Sequence, residues 1–336
     1  MNQITTLAID LAKHVFQLHG TDTQGHALLQ RSLRRTQLST TLAQMPRCTV
    51  VLEACGSAHY WARQFQALGH SVRLIAGQHI KAFNRGQKND RNDAEAIACA
   101  ARQPGMPFVP VKSGEQQAIL ALHRIRERLV RERVALTNQL HGLLGEFGIM
   151  LPHGVNPLRR ELQSVLNGQA VPQLLHTTLR DQLEHLSTIE QRLGDITRQI
   201  EQLARASEPC QRLMQHRGVG PIIATAFAAE LADASAFKNG RQVSAWLGLV
   251  PRQHSSGGRP RLLGITKRGD PYLRRLLIHG ARSALLYAPK RTDPLSRWSL
   301  AVRERRGANR ACVALANKTA RRLWATLRYE HVALLQ

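Results

Sequence analysis

Thr5-Thr6-Leu7-Ala8-Ile9-Asp10 is an apolar run that ends in a carboxylate, and Cys48-Thr49-Val50-Val51-Leu52-Glu53 repeats the form. Short runs of aliphatic and β-branched residues predict buried strands, and a charge at the end of such a run needs a reason. Glu53 follows Thr49-Val50-Val51-Leu52 directly, where a buried strand should stay apolar, so a plain structural role explains it poorly. Asp10 taken alone also reads as a strand ending in a turn.

Outward from these two runs, strands and helices alternate. Val15–Thr21 and His26–Leu33 read as short strands around turn residues, and Asp22, between Thr21 and Thr23, as part of a turn. Gln37–Gln44 and Ser57–Leu68 read as helices, Ser71–Ala76 as another strand, and Asp93–Arg102 as a further helix. The order β-β-β-α-β-α-β-α, with three hairpin-connected strands first, matches a ribonuclease H-like architecture. Pro104, Pro107 and Pro110 then break the pattern and suggest a domain edge near residue 111.

Residues 112–206 read as helical. Leu122, Ile125, Leu129, Leu136, Leu140, Leu143 and Phe147 recur at helical spacing, and Leu179, Leu183, Leu186, Leu193, Ile196, Ile200 and Leu203 do so again beyond a break at Pro152 and Pro157. Two such stripes predict an antiparallel hairpin or coiled coil that serves packing or assembly, with no chemistry of its own. Residues 207–336 form the third expected domain, mostly helical. There His216-Arg217-Gly218-Val219-Gly220-Pro221 sits between two helical stretches, like the turn of a helix-hairpin-helix. Glycine amides in such a turn can approach a phosphate, although alone the turn is a weak signal.

The chain carries 47 Lys/Arg against 23 Asp/Glu, a formal net charge of +24. A surface that basic calls for a polyanion, and nucleic acid is the first candidate. Solubility alone would not explain the asymmetry: 12 cations face 6 acids over residues 1–111, 12 face 10 over 112–205, and 23 face 7 over 206–336. The main nucleic-acid surface is therefore expected in the last third. No apolar run is long enough to span a bilayer, no secretory signal is apparent, and five scattered cysteines lack CxxC spacing. A cytoplasmic protein with reduced thiols, nucleoid-associated in a bacterium and without a membrane partner, is the expectation.

The first 111 residues hold six acids, Asp10, Asp22, Glu53, Asp90, Asp93 and Glu95. In a ribonuclease H-like sheet the first and fourth strands are parallel neighbours, so Asp10 and Glu53 would meet at one end. Asp90 and Asp93, three apart at a helix start, share a face and could join them. The plainer alternative is that either one caps the helix. Four converging carboxylates in a basic protein need a cation, and hard oxygen donors suit Mg²⁺ or Mn²⁺. Two such ions about 4 Å apart serve phosphoryl transfer. Glu95 stands as an outside candidate.

In the last third, Trp246-Leu247-Gly248-Leu249-Val250-Pro251-Arg252-Gln253-His254-Ser255-Ser256-Gly257-Gly258 reads as an apolar stretch ending in a flexible loop. Arg259, Arg261, Lys267, Arg268, Arg274 and Arg275 follow. A serine there could attack a phosphodiester while guanidinium groups carry the developing charge. On the residues alone the favoured reading is an ordinary loop whose cations, Arg252 included, grip phosphates, because the sequence identifies no base. His254 is adjacent, and neighbours on an extended chain point apart.

These motifs together resemble the insertion-sequence one-ten family of transposases and the Piv/MooV DNA invertases related to it. The resemblance rests on Ala8-Ile9-Asp10-Leu11-Ala12-Lys13, Leu52-Glu53-Ala54-Cys55-Gly56 and Lys88-Asn89-Asp90-Arg91-Asn92-Asp93-Ala94 in the first third. It continues through Gly218-Val219-Gly220-Pro221, the stretch from Leu249 to Gly258, and Gly264-Ile265-Thr266-Lys267-Arg268-Gly269 before Leu273-Arg274. It implies a RuvC-like domain whose metal-binding tetrad falls on Asp10, Glu53, Asp90 and Asp93, and a catalytic serine carried onto Ser256, with Ser255 left open. It further implies DNA partners at element ends and target, a phosphoserine intermediate, a guide RNA from the element, and a homo-oligomer, dimer or tetramer. Delegating sequence reading to base pairing agrees with a chain so poor in aromatic residues. The rival expectations are a nuclease similar to a Holliday-junction resolvase and a non-catalytic nucleic-acid-binding protein.

Overall fold

The computed structural model describes residues 3–84, 90–168, 170–257, 259 and 261–329, with the side chain of Asp90 outside that description. The chain divides into two compact units. One comprises Met1–Gln117 with Ala229–Asn239, and the other Ala118–Ala228 with Gly240–Gln336.

The first unit is built on a mixed sheet. Its elements are β1 (Thr6–Asp10), β2 (Val15–Thr21), β3 (Ala27–Arg34), α1 (Arg35–Gln44), β4 (Thr49–Glu53), α2 (Ala58–Ala67), β5 (Ser71–Ile75), α3 (Gly77–Ile80), α4 (Asp90–Ala101) and β6 (Phe108–Val109). The strands lie in the order β3-β2-β1-β4-β5-β6. β1 pairs antiparallel with β2 and parallel with β4, and β4 pairs parallel with β5. Each predicted strand and helix of this region is present near its expected bounds. Asp22 makes the expected turn, its Oδ1 accepting from the amides of Gln24, Gly25 and His26 at 2.6–2.9 Å.

Alternation along the strands separates two cores. Leu7, Ile9, Phe16, Val50, Leu52 and Leu74 face Leu38 and Leu42 of α1 and Trp61 and Phe65 of α2. Phe16 meets Trp61 edge-on at 5.4 Å, and Trp61 stacks on Phe65 at 5.6 Å. Ala8, Val51 and Ile75 face the other way, against Ile80 of α3 and Ala96, Ile97 and Ala100 of α4. Small residues on that side let α4 lie close to the sheet, and each fully buried aliphatic side chain contributes roughly 1.5–3 kcal/mol.

Two elements here were not expected. α3 is a single turn, too short to show periodicity. β6 lies within the proline-punctuated segment read as a domain edge, and it pairs with β5 through Leu74 and Val109 and through Ile75 and Phe108. Prolines are tolerated beside an edge strand because no ladder donor is lost there. The unit also recruits residues 229–239. Lys112, almost fully buried, pairs with Glu230 at 3.4 Å, and the Gln116 amide donates to the Ala232 carbonyl at 3.1 Å.

The second unit is helical apart from one hairpin. It draws on α5 (Gly114–Gly145), α6 (Val155–Asn167), α7 (Gln173–Ala206), α8 (Glu208–Met214), α9 (Pro221–Leu231), α10 (Gly240–Trp246), β7 (Pro251–Gln253), β8 (Leu262–Ile265), α11 (Pro271–Tyr287), α12 (Pro294–Arg306) and α13 (Ala308–Arg328). α5 and α7 run antiparallel. Arg126 donates to Thr197, Glu132 meets His185, and Arg133 pairs with Glu190, each within 3.1–3.2 Å. The break read at Pro152 and Pro157 contains α6, whose Leu158, Leu162, Val165 and Leu166 fill the same core. Pro157 stands in its first turn, where no helical N–H is needed.

Asp-Pro pairs start two of the last helices. Asp270 accepts from the amides of Tyr272 and Leu273 at the head of α11, and Asp293 from those of Leu295 and Ser296 at the head of α12. A carboxylate at that position satisfies orphan N–H groups and complements the helix dipole. No helix among the described residues is long and apolar enough to cross a membrane.

Candidate functional site

The carboxylates of the first unit are placed by register. Ile9 pairs with Leu52 across the parallel β1–β4 ladder, so one residue further along Asp10 and Glu53 end neighbouring strands side by side. Strand alternation puts both on the face of Ala8 and Val51, the face that α4 covers. The field at Cys55 agrees. Burial raises its thiol pKa first, and the negative charges of Glu53 and then Asp10 raise it further. Gly77, at the start of α3, makes room for Glu53: a Cβ there would stand 2.3 Å from Glu53 Oε1.

Asp93 lies three and four residues before Ala96 and Ile97, on the sheet-facing side of α4 near its start. Its Oδ1 accepts a 2.6 Å hydrogen bond from Asn84 Nδ2. Asp90 is the first residue of α4, and its side chain lies outside the described part, as do Lys88 and Asn89. Glu95 is exposed and belongs elsewhere, since its charge acts on His19 of β2, whose pKa burial lowers and Glu95 partly restores. Among the described residues, no three His, Cys, Asp or Glu side chains gather closely enough to hold a metal ion. What the described part brings together is the Asp10–Glu53 pair, with Asp93 above the same face and turned to Asn84. The donors are hard carboxylate oxygens, cradled where a Cβ at residue 77 would intrude, so their chemistry fits a divalent cation.

The described residues of the serine segment lie in a loop, as read, and two short strands carry it. This is the β7–β8 hairpin, pairing Pro251 with Ile265 and Gln253 with Leu262, with Ser256 bridging Arg259 beyond the strands. Two glycines clamp its base. Gly248, at φ 69°, could carry no Cβ without coming within 2.2 Å of the Arg268 carbonyl oxygen, and Gly269, at φ 82°, none without coming within 1.9 Å of that of Trp246. The sequence marked both glycines as motif residues without showing that they pack backbone against backbone.

The two serines differ. Ser255 Oγ accepts from Gln253 Nε2 at 2.9 Å and from the Arg261 amide at 3.2 Å, so it braces the hairpin. Ser256 is exposed, and its hydroxyl has no partner among the described residues. Gly258 and Pro260 lie outside the description. The cations also divide. Arg252, Arg259, Arg261, Lys267 and Arg268 are exposed along and below the hairpin. Arg274 instead donates to the carbonyls of Leu247 and Arg268 at 3.0 Å each, and Arg275 pairs with Glu127 at 2.5 Å and covers the Tyr272 ring.

The Gly218-Val219-Gly220 turn joins α8 to α9, and Gly218 at φ 73° packs against Gly280 of α11, where a Cβ would meet the carbonyl oxygen at 2.2 Å. That glycine is explained by close packing. Gly220 faces open space.

Comparison with known proteins identifies the family. The family described as Transposase IS116/IS110/IS902 matches residues 210–295, and the DEDD transposase family of IS110 elements matches residues 7–149. A probable family 20 transposase of Pseudomonas aeruginosa is 49% identical over 97% of this chain and 98% of its own length. The transposase for insertion sequence element IS1111A of Coxiella burnetii is 44% identical over 97% and 90% of the two chains. That for IS1328 of Yersinia enterocolitica is 40% identical over 96% and 97%. With family matches on both units and relatives aligned from end to end, the chain belongs to the IS116/IS110/IS902 family of insertion-sequence transposases.

Proposed function

We propose that the protein cuts and rejoins DNA at element ends and target through a phosphoserine intermediate on Ser256, assisted by a carboxylate site of Asp10, Glu53, Asp90 and Asp93. The observation that carries this reading is the parallel register that sets Asp10 beside Glu53 under α4. The strand order β3-β2-β1-β4-β5 supports a ribonuclease H-like, RuvC-like first domain over residues 1–111. The long helices of 112–206 then serve as a coiled-coil linker suited to oligomer contact, and 207–336 as the serine domain with a helix-hairpin-helix-like element.

In the first step Ser256 Oγ attacks phosphorus and gives up its proton. The bond to one strand oxygen breaks, and that oxygen takes up a proton as a free hydroxyl. A hydroxyl of the new partner strand then attacks the phosphoserine, restoring a phosphodiester and releasing Ser256. One ester replaces another at each step, so no external energy source is needed. Arg252, Arg259 and Arg261, exposed on the hairpin, are placed to hold phosphate oxygens and offset charge on the phosphorane. Lys267 and Arg268 extend that surface. Arg274 and Arg275 act through the fold, holding the hairpin base and α11. A bound Mg²⁺ or Mn²⁺ would supply Lewis-acid stabilisation at the carboxylate site. Gly77 and Asn84 keep Glu53 and Asp93 in position there. A guide RNA encoded by the element would choose the sequences joined.

The test is a trapping assay with labelled DNA across the element junction, Mg²⁺, and RNA transcribed from the element's flanks. A denaturing gel should show a protein–DNA adduct that is lost in Ser256→Ala and Asp10→Asn and kept in Ser255→Ala. Cutting without an adduct would move the assignment to a nuclease similar to a junction resolvase.

A further inference from the structure

Within the second unit, a cavity of about 1070 Å³ opens between the β7–β8 hairpin and helices α12 and α13. Its floor is apolar, with Leu249 and Ile265 from the hairpin side, and Trp298 and Val313 from the helices. Its rim is cationic, formed by Arg306, Arg310, Lys318 and Arg321, and its lining includes no acidic residue. The Asn317 amide ties α13 to the hairpin base by donating to the Leu249 carbonyl at 3.1 Å, so the two walls are fixed to each other. Lys318 Nζ stands 4.2 Å from the centre of the Trp298 ring.

One flat indole ring among aliphatic side chains, with positive charges beside them, matches an unpaired polynucleotide. Its bases have apolar faces and its backbone carries one anion per residue. A duplex presents only phosphates and groove edges, so it would leave the apolar floor wet. The volume is at the upper end of the range that encloses a small ligand, which leaves space for more than one base. Two further features point the same way. Leu262 and Leu263 of β8 are 64% and 39% exposed at this wall, a costly display unless something covers them. They also lie on the strand that leads to the serine tip. Gln253, paired with Leu262, lies three residues before Ser256, so the groove mouth and Ser256 are at most roughly 10 Å apart along that strand.

We propose that this groove holds an unpaired DNA strand and leads it along the hairpin to Ser256. The proposal rests on the transposase reading and adds to it a strand state, since DNA would have to be opened before it is cut. The occupant is DNA because the groove is continuous with the hairpin that presents Ser256, and Ser256 acts on DNA.

The test is binding and crosslinking, with no cleavage step, so its result is separate from the fate of the phosphoserine mechanism. Full-length protein is titrated with a fluorescent dT₂₀ strand, the matching duplex and a U₂₀ RNA, and a 5-iodouracil strand maps the contact. Trp298→Ala should weaken dT₂₀ binding about tenfold, the size of one lost base–aromatic stack. Arg310→Gln with Arg321→Gln should lower the salt slope for dT₂₀ by about 1.4, at about 0.7 per phosphate contact. Duplex binding should change less than about twofold in both, which also reports intact folding. Leu262→Ser, on the exposed strand, should reproduce the dT₂₀ loss without touching the helical core. Crosslinks should map to α12, α13 or β8. Equal losses for strand and duplex, tighter binding of U₂₀ than dT₂₀ in the groove, or a Leu262→Ser effect confined to the oligomeric state would each overturn the proposal.

Discussion

Replacing Gly77 with alanine should separate geometry from folding at the carboxylate site. The new Cβ would stand 2.3 Å from Glu53 Oε1, 3.2 Å from Cδ and 3.8 Å from Cγ. Ordinary carbon–oxygen contact needs about 3.4 Å, so the carboxylate must retreat by roughly 1 Å. Oε1 is the free end of a flexible side chain, so retreat costs about 1 kcal/mol of rotamer strain. Alanine in the first turn of a helix returns about the same through propensity, and Gly77 is not among the glycines at positive φ. Net stability should therefore move by less than about 1 kcal/mol. Activity should not escape so lightly. A misplacement of about 1 Å in a reacting constellation can cost on the order of a hundredfold, which is about 2.7 kcal/mol of barrier. The assay is junction cleavage rate and thermal midpoint for Gly77→Ala beside Gly114→Ala, whose Cβ would meet nothing within 4 Å. A Gly77→Ala protein as active as wild type would refute the placement of Glu53 in the site. A large drop in its melting point would refute the local account of the clash.

Two further outcomes follow from the same geometry. Asn84→Ala should raise the Mg²⁺ concentration for half-activity and slow cleavage about tenfold, since a hydrogen bond to a charged group is worth about 1.5–3 kcal/mol. An unchanged Mg²⁺ requirement with equal losses in stability and rate would leave Asn84 with a purely structural role. His123 and His216 are pulled down to about 4, in each case first by burial and then by a nearby arginine, Arg126 or Arg322. Between pH 6.5 and 4 the unfolded chain binds protons that the fold refuses, so their contribution is complete above 6.5 and lost as pH falls toward 4. The unfolding free energy from urea titration should fall over that window by up to about 1.4 kcal/mol per pH unit for each histidine, and the fall should flatten in His123→Gln/His216→Gln. Asp293 does not confuse the result, because Arg217 holds its carboxyl well below the usual range. An unfolding free energy that stays flat to pH 4.5 would contradict the burial of both rings.

The sheet was legible because its signals are local. Five runs of alternating or continuous apolar residues, each bounded by turn residues, sufficed to predict β1 to β5, and the acid at the end of β4 stood out against them. β6 was hidden by its prolines, which look like a boundary until the edge position is known. α6 was hidden for the same reason, since Pro157 marks a helix start as readily as a break. Residues 229–239 joined the first unit through Lys112 and Glu230, a pair 118 positions apart that no window could connect. At the site, carboxylates announce themselves by type, whereas Gly77 and Asn84 matter only through what they touch. Ser255 and Ser256 do lie in a loop, as composition suggests, but the two short strands that carry it were not expected. Those strands are held by the Gly248 and Gly269 contacts and by Ser255, none of which a local pattern records.

The charge of the last third can now be apportioned, and doing so sharpens what the excess is for. Of its seven acids, Asp270 and Asp293 cap helices, Asp233 caps a short turn, and Glu230, partly buried, pairs with the buried Lys112. Acids placed this way neutralise helix dipoles or one partner each, while Glu208 and Glu304 remain exposed. Some cations are also taken up internally: Arg217 by Asp293, Arg274 by two carbonyls, Arg275 by Glu127. Those three already have protein partners, so neutralising them should act on stability more than on the salt dependence of binding. The hairpin cations Arg252, Arg259 and Arg261 stand exposed near Ser256, and Arg306, Arg310 and Arg321 line the groove proposed above to hold a strand. Part of the basic excess read from composition thus lies on the groove and the hairpin, where, on the proposed reading, a phosphate backbone would meet positive charge before it met the serine.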